Sequence, residues 1–127
     1  MEILSSRLIL RPADPVRAVR FYREVLGLAI YREFPGGTVF FLGQGLLEVS
    51  GHGAGDSAAG STVIWVQVRD LADTAAELAL RGVPIDREPR RESWGLDEMW
   101  VSDPDGVRVV FVEIPPEHPL RTDVRSR

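Results

Sequence analysis

The 127-residue sequence contains no cysteine, no lysine and only two histidines. The absence of cysteine excludes disulfides, thiolate metal sites and catalysis by a cysteine nucleophile. No apolar run approaches the roughly 18 residues that a membrane-spanning helix needs, and residues 1–4 do not resemble the start of a secretory signal. The length is typical of one domain. We therefore expect a single-domain cytoplasmic protein with no membrane partner.

Basic charge is also scarce relative to acidic charge. Fifteen arginines stand against 19 acidic residues, which leaves a formal net charge of −4. Binding to nucleic acid depends on clustered basic charge that neutralises phosphates, and this composition does not supply it. The sequence therefore argues against a nucleic-acid partner.

The first half of the sequence alternates β-prone segments with one helical segment. Asp14 followed by Pro15 predicts the start of a helix, and apolar residues recur at steps of three and four until Gly27 ends it. Short apolar segments bounded by glycine-rich turns predict strands around this helix. The predicted strands cover residues 7–11, 29–33, 38–42 and 46–50.

The second half repeats the same order of elements. Asp70 can cap a second helix that ends at Gly82. The predicted strands of this half cover residues 62–68, 83–87, 98–102 and 107–114. The sequence thus predicts an α+β fold of two βαβββ modules, in which curved mixed sheets surround a cleft and carry their helices on the outside.

The domain organisation follows from this duplication. One domain, residues 1–114, contains the two modules at about 4–50 and 62–114. A connector rich in glycine, alanine and serine joins them over residues 51–61. Residues 115–127 are rich in proline and then in charge, which predicts a flexible tail.

Several short motifs resemble those of one known family. The first module contains Asp14-Pro15, Phe21-Tyr22 and Leu26-Gly27, and the second contains Arg81-Gly82-Val83, Trp94-Gly95 and the turn 103–106, Asp-Pro-Asp-Gly. In their order and spacing, these motifs resemble the glyoxalase/bleomycin-resistance/extradiol-dioxygenase superfamily, also called the vicinal oxygen chelate (VOC) superfamily. The resemblance spans residues 4–114. It implies the two-module fold, and it implies a homodimer.

The resemblance also indicates where a metal ion would bind. Metal-dependent relatives place one ligand on the first and last strands of each module, and the matching positions here are Arg7, Glu48, Val63 and Val110. Only Glu48 can ligate a cation, whereas metal sites normally need three or four donors. Glu113 lies at an odd offset from Val110 and is expected on the opposite face. We therefore expect no cofactor, and the residues at these places disfavour a divalent metal.

Strand alternation extends this assignment to the cleft lining. Residues two positions from the ligand places share their face, and Trp94 lies in a loop that can close over it. Phe40 and Phe41 alternate faces, so one of them lines the cleft, and we predict Phe40. Arg7 and Glu48 are expected to form an ion pair. The register around Trp100 stays open. The predicted ligand-binding residues are Arg7, Ile9, Phe40, Glu48, Trp65, Gln67, Trp94, Arg108 and Val110.

These residues favour a metal-free protein that binds a small planar or partly polar molecule. The bleomycin-resistance branch that it resembles sequesters drugs or metabolites, which would imply antibiotic resistance. One alternative is a lyase, isomerase or dioxygenase with an atypical metal site or with Glu48 as general base, although an adjacent Arg7 opposes that role. Another alternative is a structural or regulatory homodimer whose cleft is filled by side chains.

Overall fold

The computed structural model describes residues 1–2, 4–51 and 62–119. The predicted connector after Gly51 and the end of the predicted tail, residues 120–127, lie outside the described residues. The chain divides into two compact units. The first comprises Met1–Thr62 and Asp103–Val107, and the second comprises Val63–Ser102 and Arg108–Arg127. The turn 103–107 of the second module thus groups with the first unit.

The first module forms a four-stranded mixed sheet with one helical segment. Strand β1 is parallel to β4, while β2, β3 and β4 pair in antiparallel fashion, which gives the order β1-β4-β3-β2. The elements are β1 (Leu8–Leu10), α1 (Pro15–Arg20), a π-helical continuation (Phe21–Val25), β2 (Ile30–Phe34), β3 (Gly37–Leu42) and β4 (Gly45–Ser50).

The second module repeats this topology. Strand β5 is parallel to β8, the remaining pairs are antiparallel, and the order is β5-β8-β7-β6. The elements are β5 (Val63–Gln67), α2 (Leu71–Leu80), β6 (Arg87–Arg91), β7 (Asp97–Ser102) and β8 (Arg108–Glu113). Both modules therefore have the βαβββ order that the sequence predicts. None of the described helices is long and apolar enough to span a membrane.

Local signals place the helices where the sequence predicts them. The Asp14 carboxylate accepts a hydrogen bond from the Arg17 N–H at 3.1 Å, and Asp70 accepts one from Asp73 at 2.9 Å. These contacts satisfy backbone donors that a helix start leaves unpaired. Gly27 and Gly82 both have φ of +75°, the left-handed conformation that ends many helices.

One strand prediction is wrong. The sequence predicts a strand over residues 83–87, but β6 runs from Arg87 to Arg91. The Val83 N–H instead closes the end of α2 by donating to the Leu78 carbonyl at 3.0 Å, and Pro84 has no N–H to donate to a neighbouring strand. Strand β6 lies at the sheet edge and pairs only with β7. Its charged side chains can therefore remain largely exposed.

The helix face of each sheet carries buried core residues. In the first module the Tyr22 ring lies 6.3 Å from that of Phe40, and Leu47 and Val49 are fully buried on the same face. In the second module Glu113 Oε1 accepts from the Leu71 N–H at 2.7 Å, so Glu113 points to the start of α2. Glu113 therefore lies on the helix face, as strand alternation predicts.

Candidate functional site

The face of each sheet turned away from its helix, here called the distal face, carries most of the predicted site residues. In the first module, Ile9 pairs with Glu48, and Glu48 pairs with Val39. Phe41 pairs with Leu46 in the adjoining row. Because paired residues share a face, these side chains belong to one surface.

An ion pair occupies the distal face of the first module. Arg7 Nη1 lies 2.9 Å from Glu48 Oε1, and the two side chains are 33% and 13% exposed. The sequence prediction of this pair is confirmed. A guanidinium in contact with a partly buried carboxylate neutralises its charge, so this face presents little net charge at that position.

Phe40 corrects one predicted site residue. Its side chain is fully buried, and its ring packs near Tyr22 on the helix side of the sheet. The prediction that Phe40 lines the ligand site is therefore wrong. Phe41 is the member of the pair on the distal face, where it is about half exposed and lies 5.2 Å from the Tyr31 ring, centroid to centroid. Alternation required opposite faces but did not indicate which residue took which face.

A row of side chains crosses the distal face of the second module. Trp65 on β5 pairs with Val110 on β8, which pairs with Trp100 on β7, which pairs with Arg87 on β6. Trp65 is 48% exposed, whereas Trp100 is partly covered. The sequence leaves open which face of β7 carries Trp100, and the register places it on the same face as Trp65.

Two guanidinium groups lie over the Trp100 indole. The Arg87 Cζ is 3.5 Å from the ring centroid and the Arg108 Cζ is 4.1 Å from it. A cation over an indole face is attracted by the negative potential of the π system. Arg87 also forms an ion pair with Glu92. Burial lowers the pKa of Arg87, and the nearby Arg90 and Arg108 charges lower it further, while the Glu98 carboxylate acts in the opposite direction.

Val110 lies beneath the exposed side chains of this face and is buried. It lies on the predicted face, but it is 6% exposed because Trp100 packs against the cluster to which it belongs. The predicted contact of Val110 with a ligand is therefore corrected to a supporting role. The cluster also contains Leu96, Val112 and Ile114.

Two further predicted residues lie beside this row. Gln67 is exposed and follows Trp65 on the same face of β5. Trp94 is exposed in the loop before β7, and its Nε1–H donates to Glu98 Oε2 at 2.8 Å. Glu98 pairs with Val112 and so also lies on the distal face. This hydrogen bond orients the Trp94 indole relative to the sheet.

Sequence reasoning missed Arg87, Glu92 and Glu98. The misplaced β6 left Arg87 at the end of a strand and Glu92 in a polar stretch, so neither was assigned a face. Glu98 was assigned to the right strand, but the register of β7 was open. The signal that could have found them is the pairing of an arginine-rich edge strand with a neighbouring strand that contains an aromatic residue.

The residues at the four ligand places do not fit a divalent cation. Val63 and Val110 have no donor atoms, and the Arg7 guanidinium occupies one oxygen of Glu48. Across residues 1–2, 4–51 and 62–119, no group of three His, Cys, Asp or Glu side chains could hold a metal ion. Neutral or anionic donors are what such an ion requires, and a guanidinium cannot supply them.

A separate hollow lies on the helix side of the first module. It has a volume of about 460 Å³ and a mostly apolar lining that includes Val16, Val19 and Phe34. None of the predicted site residues lines it. We therefore place the candidate site on the distal faces, where aromatic and charged side chains lie together.

Solved structures from several bacteria have the same fold. A glyoxalase/bleomycin resistance protein/dioxygenase from Nocardioides is 17% identical, with a TM-score of 0.75 over 94% of this chain and 89% of that one. TioX from Micromonospora sp. ML1 is 21% identical, with a TM-score of 0.72 over 91% of this chain and 100% of that one. Lactoylglutathione lyase from Agrobacterium tumefaciens is 20% identical, with a TM-score of 0.67 over 88% and 92% of the two chains.

These identities are low enough that the likeness establishes the fold and not the activity. No curated protein matches this sequence. A family model does match, and it covers residues 5–111, which include both modules. The resemblance found in the sequence motifs is thereby confirmed, and this chain belongs to the Glyoxalase/Bleomycin resistance protein/Dioxygenase superfamily.

Proposed function

We propose that this protein is a metal-independent binding protein for a planar, partly polar small molecule, which it holds against the distal face of the second module. The observation that carries the proposal is the half-exposed indole of Trp65, in one row with Val110 and Trp100. A large exposed aromatic surface beside an apolar floor offers a stacking platform for a flat ligand.

Polar groups surround this platform in the way that ligand sites require. Gln67 is exposed next to Trp65 and can both donate and accept hydrogen bonds. Arg108 lies exposed over the Trp100 ring. A mostly apolar surface with a few polar groups favours ligands that combine a flat ring with polar substituents.

The metal-independent part of the proposal rests on residue chemistry. Two of the four ligand places are valines, and at a third the Arg7 guanidinium binds Glu48. The rival hypothesis, in which Glu48 is a general base, has less support because its Oε1 already accepts from Arg7. The homodimer also stays a prediction, which sedimentation analysis of the purified protein can test.

The experiment is a calorimetric titration of the protein with flat two- and three-ring aromatic compounds of positive, neutral and negative charge. We expect at least one compound to bind and Trp65→Ala to weaken it about tenfold, since truncating a well-placed aromatic contact costs more than about 1 kcal/mol. Trp65→Phe should restore part of the affinity.

The matched control is Leu80→Ala, which truncates a side chain that is 90% exposed on α2. This variant should bind like the wild type. The proposal fails if no flat compound binds, or if Trp65→Ala and Leu80→Ala have the same effect. Stoichiometric metal in the purified protein, measured by elemental analysis, would contradict the metal-independent part.

A further inference from the structure

The charges around Trp100 point to a narrower class of ligand. Resting on the proposed function, we infer that the ligand is an aromatic anion and that Arg108 is the residue that selects it. The planar part would stack on Trp65, and its carboxylate or other oxyanion would bind the Arg108 guanidinium.

Arg108 is exposed and makes no ion pair within the described residues. Its interaction there is the stacking contact with Trp100. Ser102 lies opposite Arg108 in the register, and its hydroxyl donates to Asp86 at 2.5 Å, yet Asp86 forms no ion pair with Arg108. The donors of this guanidinium therefore have no acceptor among the residues that the structure describes and can bind a ligand, and its five N–H groups match an oxyanion.

The second guanidinium over Trp100 differs in this respect. Arg87 is 17% exposed and pairs with Glu92, which is 7% exposed and also lies 3.5 Å from Arg90. Two arginines thus share one buried carboxylate. Glu98, which is 6% exposed, also acts electrostatically on Arg87. Neither glutamate forms an ion pair with Arg108, so Arg108 is the guanidinium over the Trp100 ring that has no carboxylate partner among the described residues.

Hydrogen-bond donors are also in excess at this position. Trp100 Nε1 and Arg87 Nε are buried and have no acceptor among the residues that the structure describes. Buried donors normally have a partner, and a water molecule that bridges to a bound oxyanion would supply it. Donors in excess and a guanidinium without an ion pair over Trp100 both favour an acceptor-rich, negatively charged ligand.

The geometry allows one small ligand to reach both groups. Trp65 pairs with Val110, and Arg108 is two residues before Val110 on the same strand and the same face. Trp65 and Arg108 are therefore diagonal neighbours on adjacent strands, a separation that aromatic and long side chains can bridge. A two-ring aromatic carboxylate is large enough to stack on one and pair with the other.

The test uses three compounds of nearly equal shape: β-naphthoate, which is anionic, β-naphthamide, which is neutral, and β-naphthamidine, which is cationic. We expect calorimetry to show naphthoate binding at least about tenfold more tightly than naphthamide, and naphthamidine binding most weakly. Arg108→Gln should weaken naphthoate by about 10- to 100-fold and leave naphthamide within about threefold.

Two variants serve as controls. Arg108→Lys keeps the charge without the planar fork and should retain an intermediate preference for naphthoate. Arg81→Gln removes the same charge from the end of α2, where Arg81 pairs with Glu77, and should leave all three affinities unchanged. The Arg81 control separates an effect of net charge from an effect at the site.

The outcomes distinguish this inference from the proposed function. If naphthoate and naphthamide bind equally, or naphthamidine binds best, the inference is overturned while the flat-ligand proposal stands. If Arg108→Gln keeps the full preference for naphthoate, the assignment to Arg108 is wrong. If none of the three binds but flat compounds of another shape do, without preference for negative charge, the inference is again overturned. If no flat compound binds, both proposals fail.

Discussion

The distal faces of the two modules have the same topology but differ in their ion pairs. In the first, Arg7 is paired with Glu48 at 2.9 Å. In the second, Arg108 lies over Trp100 without a carboxylate partner in the described part of the chain. Duplication of a fold therefore does not duplicate its surface chemistry, because side chains on this face can change while the strand order is kept.

The aromatic residues of the two faces differ in the same way. Phe41 and Tyr31 pack edge to face, with ring centroids 5.2 Å apart, so each covers part of the other. Trp65 and Trp100 are separated by the buried Val110. Guanidinium groups lie over Trp100, so the half-exposed Trp65 ring is the part of the row that stays available to a ligand. The comparison suggests that the first face is stabilised by its own contacts and that the second is suited to binding.

The largest expected effect concerns the turns between the last two strands of each module. The turn after β7 is fixed by buried Asp103, which accepts from the Tyr22 hydroxyl at 2.6 Å and from two backbone N–H groups at 2.8 Å. The matching turn of the first module contains exposed Gln44. Asp103→Ala should lower the free energy of unfolding by about 3–5 kcal/mol, and Gln44→Ala by less than about 0.5 kcal/mol. Urea denaturation measures both, and equal losses would contradict this account.

The second-largest expected effect concerns Glu92, the carboxylate that Arg87 and Arg90 both contact. Glu92→Gln should destabilise the protein by about 2 kcal/mol, because it leaves Arg87 partly buried without its ion-pair partner. It should also tighten the binding of naphthoate, since it removes a negative charge next to the guanidinium groups near Trp100. Denaturation and calorimetry test the two effects separately. Weaker naphthoate binding by a folded variant would argue against an electrostatic role for this cluster.

Tyr22 makes the first unit sensitive to alkaline pH. Burial, followed by the hydrogen bond to Asp103, raises the pKa of Tyr22 far above its usual value of 10.0. The folded state therefore keeps the phenol proton that the unfolded state loses above that value. The stabilising contribution of Tyr22 should be complete below pH 10. Above pH 10 the free energy of unfolding should fall by about 1.4 kcal/mol per pH unit.

The control for this pH dependence is Tyr22→Phe. Its free energy of unfolding, measured between about pH 9 and pH 11, should have a shallower alkaline slope than that of the wild type. Parallel slopes for the two proteins would show that other groups cause the loss.

The smallest effect compares the two arginines directly. Arg7→Met should cost about 1 kcal/mol, less than a fully buried pair would, because Arg7 is one-third exposed and solvent screens the interaction. Arg108→Gln should change stability by less than about 0.5 kcal/mol. A double-mutant cycle between Arg7→Met and Glu48→Gln measures the pair itself. A coupling energy near zero would mean that the contact does not stabilise the fold.

The Arg7–Glu48 contact was predictable because it joins two positions that the family motif places on one face. The assignment of Phe40 was not, because alternation gives two solutions that differ by one residue and exchange every side chain between faces. The contact with Tyr22 decides between them. The face of Arg87 was not predictable because the bounds of its strand were not. The start of β6 depends on hydrogen bonds to β7 and not on its own β propensity.

The sequence by itself determined the order of elements, the helix boundaries and the family. Caps, glycine ends and apolar periodicity act over a few residues, so they can be read without knowing the neighbouring strands. Only the tertiary structure decided which side chains meet over Trp100. Those contacts join β6, β7 and β8 through a register of inter-strand hydrogen bonds. No local pattern specifies that register, and a one-residue shift would turn the whole row to the other face.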